Sequence, residues 1–216
     1  MVEEDKGLDL NWAGTNAERE KRLQAIRIPL NLGLLGYRML SIRKDRIAEF
    51  DQIESLDELK RLKACQGSHW PDSDVLEAAG FRVLRTVKFE TMYKMVGAGR
   101  CDYFPRSIIE GYGEVRQQGP DEFFAYDRIL IAYKFPMYFF VSKSKPQLAQ
   151  RIEQGLIKAL HDGSFLELMK SQSTTKSAFP LDRYRSSIIF HIENPYLTPE
   201  TPIERTELWL EMPSSE

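Results

Sequence analysis

The sequence predicts an α/β chain with a largely parallel sheet in its central third, and three observations carry that prediction. Apolar runs at residues 62–65, 81–84 and 101–104 read as strands. Between them, Val75, Leu76 and Ala79, then Met92, Met95 and Val96, recur at helical spacing. Glycines at 67, 80, 97 and 99 punctuate the joins. Strands alternating with helices of this length imply right-handed crossovers and parallel pairing. In such a sheet ligands bind at the carboxyl ends of the strands, which singles out residues 66–70 and 105–107.

The remaining elements follow in chain order. GLDLNW, residues 7–12, alternates as a strand, and Thr15 with Asn16 supplies a cap for a short charged helix. Residues 26–30 form a short extended run ended by a proline. GLLGYRMLSI, residues 33–42, reads as a strand crossing between two lobes. Ser55 opens a helix whose Asp57 and Glu58 suit the positive end of its dipole. Residues 108–117 are helix-like, and the apolar run from Phe123 to Val141 reads as a return crossing. Leu148, Ile152, Leu156 and Leu160 make residues 146–168 the strongest helical pattern, broken at HDGS. The proline-rich tail holds one apolar strand, residues 187–191, and Trp209 is expected to fold back onto the body.

Composition narrows the function classes. At 216 residues the chain can make one large domain or two small ones. A net charge of -2 argues against a dedicated nucleic-acid binder. The longest apolar run is interrupted by Lys134 and Pro136, so no membrane helix is expected. The acidic start, MVEEDKGLDL, lacks the pattern of a signal peptide. Cys65 and Cys101 fall in the same strand-rich stretch; a disulfide is conceivable, but two buried thiols are the expectation. His69, His161 and His191 are scattered, so no metal site is expected, and no phosphate-binding loop or other cofactor motif is present. The search for a nucleophile is empty, and no catalytic residue is nominated.

The ordered series GLDLNW, Thr15 with Arg19, GLLGYRMLSIRKD, IESLDELKRL, KACQGS, GFRVL, AGRCDYFPRS, YFFVSKSKPQL and IEQGLIKALHDGSFLELMK resembles the type II solute-binding proteins of ABC importers, in particular their amino-acid-binding group. The resemblance implies a type II periplasmic-binding-protein-like fold: two α/β lobes joined by two crossing strands, closing on a small solute. Lobe 1 is expected from residues 1–42 and 137–216, and lobe 2 from residues 43–136. GLDLNW matches the family's third strand, so the first lobe is expected to be incomplete at its N-terminus.

The same resemblance nominates the site. It implies that Arg19, after Thr15, grips a solute carboxylate; the charged run around it equally suits a solvated arginine. Gln66, Gly67 and Ser68 form a strand-to-helix turn whose amides attract anions, or one that merely needs its glycine. Trp70 walls the site or caps a core. Arg106, with Ser107, stands where amino-acid binders of the family carry an aspartate for the solute ammonium. Facing the cleft, Arg106 favours an anionic solute; paired with Glu110 one turn on, it meets no ligand. Tyr37, on the first crossing strand, stacks on a solute, as hinge-side aromatics often do, or simply fills the floor between the lobes.

The expected function is therefore extracytoplasmic capture of a small polar or anionic solute without catalysis. An ABC permease is the implied partner and the periplasm the implied location, with a homodimer through the incomplete lobe also envisaged. A dehydratase-like enzyme on the same fold, and a non-binding remnant or sensor lobe, are the rivals.

Overall fold

In the computed structural model, residues 8–213 are described; the acidic start and residues 214–216 lie outside them. The chain runs β1 (Leu10–Gly14), α1 (Ala17–Arg22), β2 (Gln24–Ile26), β3 (Tyr37–Arg43), α2 (Ile47–Phe50), α3 (Leu56–Arg61) and β4 (Lys63–Gly67). It continues with α4 (Pro71–Ala78), β5 (Arg82–Thr86), α5 (Phe89–Gly97), β6 (Phe104–Ser107), α6 (Gly111–Gln118) and β7 (Phe123–Ala132). After β8 (Met137–Val141) come α7 (Pro146–His161), α8 (Ser164–Ser171) and β9 (Ile188–His191). Contacts divide the chain into two compact units.

Unit 1 takes the described residues through Leu35, with Lys134–Lys176 and Tyr196–Glu211. Its sheet has the order β1-β8-β2, antiparallel throughout. α7 presents Leu148, Ile152 and Leu156 to Ile26, Val141 and Phe139, so its four-residue spacing becomes one buried face. Farther along, Leu156, Ile157 and Leu160 pack with Ile28, Leu208 and Trp209. Burying a side chain such as Leu208 contributes about 1.5–3 kcal/mol. Gly33 has φ +79 and leaves room for the Trp209 ring, which would stand 2.7 Å from a Cβ there. Trp209 Nε1 donates to the Pro202 carbonyl at 2.9 Å, so the ring is held at both its apolar body and its polar tip.

Unit 2 takes Gly36–Tyr133 and Ser177–Pro195, with the described end from Met212. The boundary differs from the expected one at residue 43 because the glycine-rich start of residues 33–42 is a turn, Leu34–Gly36, and β3 then lies wholly inside unit 2. The expected return crossing is two strands: Pro136 separates β7 of unit 2 from β8 of unit 1. Ser177–Pro195, read as part of lobe 1, belongs to unit 2 because β9 pairs in parallel with β7.

The sheet of unit 2 is mixed, not largely parallel. β3 is the centre of the order β6-β3-β7-β9 and is antiparallel to both its neighbours. β4 and β5 form a separate parallel pair. A single parallel bridge, Ala64 to Tyr103, with Cys65 N–H donating to the Tyr103 carbonyl at 2.9 Å, links that pair to the start of β6. The core beneath gathers Met92, Tyr93, Val96, Phe104, Val115 and Phe123. Cys65 and Cys101 lie in the same core and form a disulfide across 5.6 Å between their Cα atoms. That corrects the expectation of two free thiols. Spacing along a sequence does not reveal that the loop after α5 returns to lie beside β4.

Candidate functional site

The two segments expected at strand ends come together in unit 2. β4 and the start of β6 run parallel, so their carboxyl ends share one side of the unit. There Trp70, just before α4, stacks on Phe104 with centroids 6.2 Å apart, and the Arg106 guanidinium lies over the Trp70 ring at 4.9 Å. Phe104 and Phe89 stand 5.1 and 5.7 Å from the same guanidinium. Gly67 permits this arrangement, since a Cβ there would fall 2.5 Å from Trp70 Cδ2. The turn is also held from within: Ser73 Oγ donates to the Gly67 carbonyl at 2.6 Å.

Arg106 is buried, and its charge is met by carboxylates. Nε and Nη2 donate to the two oxygens of Glu114, each at 2.7 Å, and Nη2 lies 2.9 Å from Glu110 Oε2. Burial works against the charge on Arg106, but the Glu114 hydrogen bonds and the nearby negative charges outweigh it, so its pKa is raised. The pairing with Glu110 is the one that the spacing of four allowed; Glu114, a further turn along α6, supplies the fork.

A second arginine, Arg38 on β3, is only 1% exposed. It pairs with Asp72 in the first turn of α4, and its Nε donates to the Tyr133 hydroxyl at 3.1 Å. The Tyr133 hydroxyl donates in turn to Asp72. Glu110 Oε2 is 4.0 Å from Arg38 Nη1, so it stands between the two guanidiniums. Burial opposes the Arg38 charge too, and Asp72, Tyr133 and Glu110 reverse that effect, leaving its pKa raised. Burial, with Asp72 beside it, pushes the Tyr133 phenol well above its ordinary value. Two guanidiniums and three carboxylates thus form one cluster, with Tyr133 as its neutral member.

The other nominated residues have these positions. Gln66 is fully buried; its Oε1 accepts the Gly67 N–H at 3.2 Å, while Nε2 is buried without a hydrogen-bond partner. Ser68 N–H donates to the Thr86 carbonyl at 2.9 Å. The turn amides of Gly67 and Ser68 are therefore engaged inside the protein. Ser107 is buried opposite Arg38 in the β3-β6 register, and the Tyr37 carbonyl accepts the Ile108 N–H at 3.0 Å. In unit 1, Thr15 Oγ1 bonds Glu20, and Asn16 rather than Thr15 caps α1, accepting the Arg19 N–H at 2.8 Å. Arg19 Nη1 donates to the Gly14 carbonyl, and its guanidinium lies 5.8 Å from the Phe140 ring centre.

Asp72, Glu114 and Tyr133 were not among the sequence-nominated residues. Arg38 had one readable signal, a lone charge inside the apolar run GLLGYRMLSI. A buried charge of that kind requires a partner. Among the described residues no group of acidic, histidine or cysteine side chains could hold a metal ion, and no helix is long and apolar enough to cross a membrane.

No family model matches the sequence, and no curated protein matches it. Solved structures do match. A binding component of an ABC transporter from Wolinella succinogenes, complexed with lysine, is 15% identical; the match covers 78% of this chain and 71% of that one, with a TM-score of 0.59. An amino-acid ABC transporter extracellular-binding protein from Bacillus subtilis is 14% identical over 81% of this chain and 75% of its own, with a TM-score of 0.61. The GluR0 ligand-binding core from Nostoc punctiforme, in complex with glutamate, is 16% identical over 80% and 76%, with a TM-score of 0.54. The chain has the mixed α/β type II periplasmic-binding fold that these proteins share. The structures it matches are mostly binding proteins.

Proposed function

We propose that the chain is an extracytoplasmic solute-binding protein that captures a small polar solute of the amino-acid class and releases it unchanged. The observation that carries this reading is the convergence of Trp70, Arg106 and the Gln66–Gly67 turn at the carboxyl ends of β4 and β6. A part-exposed aromatic ring set against a buried ion cluster at strand ends suits recognition of a small polar solute. The structural matches with lysine- and glutamate-bound proteins support the amino-acid class. Gln66, Gly67, Ser68, Trp70, Arg106 and Ser107, with Tyr37 beside Ser107, are the contact residues proposed in unit 2. Thr15 and Arg19 are those proposed in unit 1.

Three finer points belong to the same proposal. The Cys65–Cys101 disulfide supports an oxidising compartment such as the periplasm. An ABC permease is the partner that the matched transport components suggest. Binding without turnover is preferred to a dehydratase-like reaction, because Glu110, the acid candidate, is bonded to Arg106. A thermal-shift screen of amino acids and dicarboxylates tests the proposal. A solute held at a hundred times its Kd adds about 2.7 kcal/mol of stability, a readily measured shift. No response to any member of the screen would remove the reading.

A further inference from the structure

We propose that the tail segment 192–198 is a strap that limits how far the two units move apart. The fold outlined from the sequence needs two passages between them, and the described chain makes these at Leu35–Gly36 and Tyr133–Lys134. It then passes twice more, at Lys176–Ser177 and Pro195–Tyr196. The last passage is short and is pinned close to the first two on either side. In unit 2, Ile192 N–H donates to the Ala132 carbonyl at 2.9 Å, and Tyr133 N–H donates to the Gly36 carbonyl at 3.2 Å. The tail therefore leaves that unit beside both of the expected passages. In unit 1, Trp209 fills the space that Gly33 leaves open, and Lys134 Nζ lies over its ring at 4.5 Å. The next amide, that of Leu210, donates to the Leu32 carbonyl at 2.8 Å. The tail thus grips the unit 1 side of both passages as well.

The anchors at the two ends are buried. Upstream, β9 pairs with β7, and Tyr184 is fully buried with its hydroxyl accepting from Tyr112 at 3.0 Å. Downstream, Thr198 and Thr201 are buried, and Thr198 Oγ1 donates to Glu20 Oε2 at 3.1 Å. Glu20 is itself buried and is held by Arg27 Nη2 at 2.7 Å. Farther on, Leu208 and Trp209 lie in the core of unit 1. The run between the anchors has little length to give. Its six peptide steps, Ile192 to Thr198, span at most about 20 Å when fully extended. Pro195 fixes its own φ and disfavours helical backbone at Asn194, which stiffens the run further. Two neighbouring passages alone form a ribbon that bends and twists. A third, short and pinned at both ends, stops that motion where it becomes taut. The limit is a property of the chain and needs no solute.

The test lengthens the strap and leaves its anchors in place. Spin labels at Val87→Cys in unit 2 and Glu153→Cys in unit 1, both exposed positions, report the distance between the units by double electron–electron resonance. The full chain is compared with variants carrying Gly-Ser inserts of roughly two and roughly eight residues between Pro195 and Tyr196. Each added residue extends the reach by up to about 3.3 Å. The expected result, without solute, is a distance distribution that broadens toward longer values, more for the long insert than for the short one. Far-ultraviolet circular dichroism should stay the same throughout. The same distribution in all three chains overturns the proposal, as does a shift to shorter distances. An equal change for both inserts overturns it too, because it would reflect damage to the tail rather than release of a limit set by length.

Discussion

Arg106 lies over the Trp70 ring at 4.9 Å, and that one contact ties the end of β6 to the turn that follows β4. A cation held over an indole face in a partly desolvated setting contributes about 1–2 kcal/mol. The contact also covers one face of the Trp70 ring. Its geometry depends on residue 67 having no Cβ.

Gly67→Ala should therefore push the indole off Arg106. Forcing a methyl group into that space is expected to destabilise the protein by about 1–3 kcal/mol. Near-ultraviolet circular dichroism and urea unfolding would read the two effects. An unchanged tryptophan signal would mean that Trp70 does not rest on the glycine.

Asp72→Ala should be more harmful. It removes the carboxylate that pairs with the fully buried Arg38 and accepts from the Tyr133 hydroxyl. Removing one partner of a buried pair typically costs about 3–5 kcal/mol. The double variant Arg38→Met with Asp72→Leu should cost clearly less, since no orphaned charge remains. A double variant less stable than Asp72→Ala in urea denaturation would contradict that order.

Replacing both cysteines with serine removes a link across 36 residues. Chain-entropy reasoning puts the loss at about 3–4 kcal/mol for a loop of that length. Comparing denaturant midpoints of the double serine variant and the parent measures it. Equal midpoints would show that the bridge constrains nothing.

Alkaline pH should unfold the protein through its tyrosines. Burial raises the pKa of Tyr93, Tyr103, Tyr112, Tyr126, Tyr133 and Tyr138, and pushes Tyr184 up to about 12. The folded state then holds protons that the unfolded chain has released above its ordinary phenol value of about 10. Stability is full below that pH and falls as pH rises toward the folded-state values. Urea unfolding at a series of alkaline pH values checks the sign; constant stability across that range would contradict it.

The parts of the fold legible in the sequence are those governed by near neighbours. The β4-turn-α4 unit followed from an apolar run and a glycine, and the break between α7 and α8 fell at HDGS, where Gly163 has φ +79. The pairing of Arg106 with Glu110 was legible as a spacing of four. What escaped was set by distant chain. Arg38 finds Tyr133 95 residues away, and nothing near either one announces the other. The direction of the sheet around β3 escaped for the same reason, since alternating strand and helix signals do not reveal an antiparallel centre. Arg106 also shows what residue type alone leaves out. A positive side chain facing a cleft would suit an anionic solute, and its second carboxylate partner, Glu114, eight residues on, was not readable from the spacing.

The strand β9 has a consequence for how the protein is made. Every other strand of unit 2 precedes β8, α7 and α8, yet the sheet is completed only when Ile188–His191 arrives beside β7. On the ribosome, the outer edge of β7 must wait while those unit 1 elements emerge. An edge that waits is open to pairing with a neighbouring nascent chain. Biosynthesis of this protein therefore carries its greatest aggregation hazard late, in the interval between the last residue of β7 and the first of β9.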